Sequence, residues 1–88
     1  MVVIERTSST GRYAVRGEMT VYTVRELRDQ LVAGSARELD LEGVTEFDSA
    51  GAQLLLALRA QVTACSESVR ELIDLYRLGD VLLNGGGR

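Results

Sequence analysis

An α/β domain is the fold class that three observations predict. Two short β-prone runs flank a polar turn near the start, apolar residues recur at helical spacing in three later segments, and the strand-like Leu39-Asp40-Leu41 stands between the first two of those segments. Alternation of this kind in one short chain points to helices laid on a sheet around a single small core.

Taken in order, residues 2–4 and 13–15 are the β-prone runs, and Thr7-Ser8-Ser9-Thr10-Gly11 between them reads as a hairpin turn, so two antiparallel strands open the fold. Thr23 stands three residues before Glu26, the spacing of a capping box, and Val24, Leu27, Leu31 and Val32 fall close to one stripe. A first helix is predicted over residues 23–33, ended by Gly34 in the left-handed conformation. Leu39 and Leu41 then face the core from a strand. A second helix starts after Phe47-Asp48, with Leu54, Leu55, Leu58 and Val62 at helical spacing. A third follows Ser66 or Ser68, either of which can cap it; Val69, Leu72, Leu75 and Tyr76 form its apolar face, and its end is expected near Gly79. Asn84-Gly85-Gly86-Gly87-Arg88 lacks apolar periodicity and reads as a flexible tail.

Composition narrows the chemistry. Of 88 residues, 45% are hydrophobic and 26% charged, the profile of a globular domain, and a chain this short has little core to give up to a deep substrate pocket. There is no His and no Lys; all ten basic residues are Arg. That removes Ser-His-Asp and Cys-His nucleophile pairs, Schiff-base chemistry, the P-loop lysine and His-containing zinc sites, and no metal or cofactor is expected. Cys65, the single cysteine, cannot close an intramolecular disulfide and reads as a small buried hydrophobe. The apolar run at the N-terminus is too short for a signal-peptide core or a membrane span, so a cytoplasmic location without membrane insertion is expected. A net charge of −3 with dispersed arginines gives no nucleic-acid-binding stripe.

The most distinctive stretch is Asp48-Ser49-Ala50-Gly51 at the start of the Leu-rich helix. First-turn amides lack intrahelical partners and the helix dipole is positive there, so a phosphoryl group on Ser49 could be held by backbone donors. Such a group would add about −1.5 to −2 charges beside Asp48 and near Glu46, and a partner docked on this helix end would feel the change. Ala50 and Gly51 project little and suit a surface that a partner approaches closely. Asp and Ser are also ordinary helix caps, and the same residues serve that structural role equally well.

The run Leu39-Asp40-Leu41-Glu42-Gly43-Val44-Thr45-Glu46-Phe47-Asp48-Ser49-Ala50-Gly51-Ala52-Gln53-Leu54-Leu55 resembles the signature of STAS domains, which include the bacterial anti-sigma-factor antagonists. The resemblance extends upstream over residues 17–23 and downstream over residues 66–78. It implies one STAS domain over residues 1–88, with a four- to five-stranded mixed sheet and helices packed on one face. It also implies a phosphorylatable Ser49, oriented or capped by Asp48, with Gly51 allowing close approach and residues 20–22 forming part of the docking face. Thr20 and Tyr22 are the contacts there; Tyr22 reads either as an exposed contact or as a core-edge aromatic. In the antagonist branch the partner is a serine kinase of histidine-kinase-like ATPase fold that is also the anti-sigma factor. It is bound when Ser49 is unmodified and released on phosphorylation, and a phosphatase resets the cycle. The same scheme can serve a chemotaxis-type signalling cluster.

STAS chains place a Gly-containing loop and a further strand between the Leu-rich helix and the last helix, whereas here only residues 59–65 are available. Leu58, Val62 and Cys65 continue helical spacing, yet residues 62–65 could equally end a strand. A strand joined to a helix with almost no loop is unusual; either the family's loop has been deleted or residues are missing between Arg59 and Cys65, and the second is the favoured explanation. Two other functions compete with the switch. One is a constitutive accessory subunit docking, through the same helix end, on the ATPase of a lipid-asymmetry ABC transporter. The other is an enzyme using Asp40, Glu42, Glu46 or Asp48, but carboxylates alternating along a strand are more often solvated charges, and no catalytic residue is assigned.

Overall fold

Val2 and Ile4 are half-buried while Val3 and Glu5 are exposed, the alternation of a strand with one face covered. In the computed structural model, which describes residues 1–83, they belong to β1 (Val2–Ser8), which turns back into β2 (Arg12–Met19) with Ile4 opposite Val15. The order continues α1 (Val24–Ala33), β3 (Glu38–Phe47), α2 (Ser49–Leu58), β4 (Gln61–Cys65), α3 (Glu67–Leu75) and α4 (Gly79–Leu82). The tail expected at residues 84–88 lies outside the described residues.

The strands form one mixed sheet in the order β1-β2-β3-β4, antiparallel at β1–β2 and parallel at β2–β3 and β3–β4. The β2–α1–β3 and β3–α2–β4 connections advance in the same direction across the sheet, and α1 packs against α2 on the same face. Between sheet and helices lie Val15, Leu39, Leu41, Val44 and Val62 from the strands, met by Leu27, Leu31, Leu54, Leu55, Val69 and Ile73 from the helices. Each large aliphatic side chain removed from water there contributes roughly 1.5–3 kcal/mol. The other face is polar, with Arg12 paired to Glu38 at 2.9 Å and Arg16 to Glu5 at 3.4 Å. A bulge in β3, where Leu41 and Glu42 oppose Val15 alone, lies immediately before Gly43.

Several sequence expectations are corrected. Gly34 is not left-handed: its φ is −87°, and the left-handed residue is Ser35 at φ 53°. Thr23 makes no side-chain cap to α1 and so forms no capping box. Val32 is exposed, leaving Leu27 and Leu31 as the buried residues of α1. α3 stops at Leu75 because Arg77 turns left-handed at φ 57°; Leu75 and Tyr76 are exposed, and Val69 and Ile73 carry the buried face. The segment beyond it forms the unanticipated α4, which buries Leu82. Cys65 is half-buried rather than buried.

The connection after α2 closes without additional residues. Arg59, left-handed at φ 56°, donates its amide to Leu55 and Leu56 carbonyls and reverses the chain at once; the Gln61 amide then bonds the Arg37 carbonyl at 2.9 Å, starting β4 beside β3. Residues 62–65 are therefore strand, with Val62 buried, and no residues need be missing between Arg59 and Cys65.

Candidate functional site

Parallel β2 and β3 end together, Met19 opposite Phe47, so the turns that follow them lie side by side at the carboxyl edge of the sheet. Clefts at that edge are where α/β sheets commonly place their sites. After β2, the turn at residues 20–23 is tied by its own threonines. The Thr23 hydroxyl donates to the Glu18 carbonyl at 2.8 Å and accepts from the Thr20 amide at 3.0 Å, while the Thr20 hydroxyl oxygen accepts from the Tyr22 amide at 3.3 Å. Thr23, expected to cap α1, instead closes this turn.

After β3, Asp48 is the N-cap of α2. Its Oδ1 accepts from the Ala50 and Gly51 amides at 2.9 and 3.2 Å, and its Oδ2 accepts from the Val21 amide at 3.0 Å. A single carboxylate thus joins the two turns, and negative charge is favoured at that end of the helix. Ser49 follows, exposed, its hydroxyl making no hydrogen bond among the described residues. On the adjoining turn Val21 is 61% and Tyr22 93% exposed, which removes the core-edge alternative for Tyr22. Thr20 is half-buried and holds the turn together.

Two expectations about this helix start are overturned. Gly51 is buried, and a Cβ there would lie 2.6 Å from the Met19 carbonyl oxygen and 2.7 Å from the Phe47 ring; glycine is required by packing inside the protein, not by the approach of a partner. Nor are the amides of Ala50 and Gly51 vacant for a phosphoryl group, because Asp48 already holds both. Glu46 stands opposite Glu18 in the sheet register, and among the described residues its side chain makes no hydrogen bond or ion pair. Val21 lies within the expected docking segment, but the bond from its backbone amide to Asp48 is what sequence reasoning missed; the Thr20/Thr23 spacing was the available signal for the turn.

A cavity of about 720 Å³ opens at the opposite end of the sheet between the starts of β3 and β4, the end of α2 and α4. None of the candidate site residues Thr20, Tyr22, Asp48, Ser49, Ala50 and Gly51 lines it. No helix among the described residues is long and apolar enough to cross a membrane.

A four-stranded mixed sheet with helices packed against it, and a serine presented at a helix start beside an exposed turn, define the class as a small α/β domain. The chain belongs to the STAS family: the family model described as "Mlab, STAS domain" matches residues 2–84, and STAS domains are a non-catalytic regulatory fold. A search of curated proteins finds no match.

Proposed function

We propose that the chain is a phosphorylation-controlled regulatory binding protein of the anti-sigma-factor-antagonist kind. With Ser49 unmodified it docks a serine kinase of histidine-kinase-like ATPase fold, itself the anti-sigma factor; phosphorylation of Ser49 releases it, and a phosphatase resets it. Transfer of the γ-phosphoryl group of ATP forms the O–P bond at Ser49 Oγ, releases ADP and passes the hydroxyl proton to the kinase or to water. The observation that carries this reading is the bridge made by Asp48, which sets the unbonded Ser49 hydroxyl and the exposed Tyr22 on one platform. Exposed aromatics are favoured anchors of protein interfaces, and about two negative charges added beside them disfavour a partner that docks on the hydroxyl.

The occupied Ala50 and Gly51 amides support a second reading, in which the same platform docks constitutively on the ATPase of a lipid-asymmetry ABC transporter and phosphate never turns over. Capture of tagged wild-type and Ser49→Asp proteins from native lysate, with mass spectrometry identifying the partner and mapping phosphate, separates the two. A serine kinase held by wild type and lost by Ser49→Asp supports the switch. A transporter ATPase held with Ser49 unmodified supports the constitutive subunit, and equal capture of a kinase by both proteins sinks the switch.

A further inference from the structure

The carboxylate of Asp48 has both oxygens engaged. Oδ1 serves the Ala50 and Gly51 amides of its own helix, and Oδ2 serves the amide of Val21, 27 residues upstream. Every other hydrogen bond made by residues 20–23 runs within residues 18–27, so among the described residues Asp48 is the one side chain from elsewhere that holds this turn. Tyr22, the most exposed aromatic at the site, is the next residue along.

We infer that Asp48 relays the state of Ser49 to the turn at residues 20–23: a phosphate on Ser49 drives the carboxylate off the Val21 amide and frees Tyr22 from its docking geometry. This rests on the phosphoswitch reading. The phosphate brings about −1.5 to −2 charges and three acceptor oxygens next to the carboxylate, at a helix start whose Ala50 and Gly51 amides Asp48 already holds. Both anions compete for the amides of Ala50 and Gly51, and like-charge repulsion opposes their staying together. The two oxygens of Asp48 belong to one rigid group, so loss of the helix cap and loss of the Val21 bond are coupled. Val21 is exposed, and its released amide passes to water without leaving a buried unpaired donor. Asp48 is thus a positioning residue, and a carboxylate suits the role because its acceptor oxygens reach both turns.

The test is amide hydrogen exchange by NMR on the full chain, unmodified and with phosphoserine at position 49 introduced by ligation at Cys65, with Leu27 in the core of α1 as internal reference. Val21 exchange is expected to rise about tenfold or more on phosphorylation while Leu27 is unchanged. Asp48→Asn without phosphate should show the same rise at Val21, because its single side-chain oxygen keeps the helix cap, for which Asn is as good as Asp, and gives up the second turn. Equal protection of Val21 in the phosphorylated and unmodified chains overturns the relay. No partner is present in this measurement, so its failure is distinct from that of the switch reading, which the capture experiment decides.

Discussion

The hydroxyl of Tyr13 donates a 2.9 Å hydrogen bond to the carbonyl of Gly34, and a Cβ at position 34 would overlap the Tyr13 phenol. Gly34 is therefore a glycine made necessary by a side chain 21 residues away, not by a left-handed backbone. At its helix-like φ, Gly→Ala would ordinarily stabilise by about 0.4–1 kcal/mol. Gly34→Ala is instead expected to destabilise by about 1–3 kcal/mol through overpacking, read from the urea midpoint. An increased midpoint would show that the Tyr13 contact yields freely.

Ser35 supplies the left-handed turn after α1, with φ 53°. L-residues with a Cβ are disfavoured there by about 1–2 kcal/mol, and glycine is the usual occupant. Allowing for the greater unfolded-state entropy of glycine, Ser35→Gly should stabilise by up to about 1 kcal/mol in the same urea titration. The pair of variants thus has opposite signs at adjacent positions.

Gly51→Ala presses a methyl group against the Met19 carbonyl and the Phe47 ring. A loss of about 1–3 kcal/mol is expected, larger for Gly51→Leu, measured by thermal unfolding in circular dichroism. Weak partner capture by either variant would then reflect a damaged fold. A Gly51→Ala protein with wild-type stability contradicts the packing role.

Ser49 and Tyr22 should behave in the opposite way. Both are exposed and neither side chain holds the fold together, so Ser49→Asp and Tyr22→Ala are each expected to change stability by no more than about 0.5 kcal/mol. Capture of the cognate partner should fall about tenfold or more with each, as for an interface anchor. Titration of the captured partner against purified variants checks this, and undiminished affinity for Tyr22→Ala would remove the turn from the docking face.

Asp40 and Glu42 lie along the bulged strand, and the Asp40 carboxylate accepts from the Glu42 amide at 2.9 Å. A local turn of this kind is structural, so Asp40→Asn should leave partner capture unchanged and shift stability by at most about 1 kcal/mol. Lost capture in a folded Asp40→Asn protein would extend the functional surface to the open face of the sheet.

Much of the architecture was legible in the chain itself. The alternation of Leu39-Asp40-Leu41 placed both leucines in the core, the polar run at residues 7–11 marked the hairpin, and Asp48 before a Leu-rich run marked the start of α2. These are local signals: side-chain periodicity and capping act over a few neighbouring residues, and a sequence displays them directly. Only the tertiary structure decided which residue Asp48 reaches with its second oxygen, why Gly34 and Gly51 lack side chains, and that Arg59 can turn α2 into β4 in two residues. Each of those depends on contacts between segments distant in the chain, Val21 with Asp48, Tyr13 with Gly34, Met19 with Gly51, Arg37 with Gln61, and such contacts exist only once the strands have paired in register.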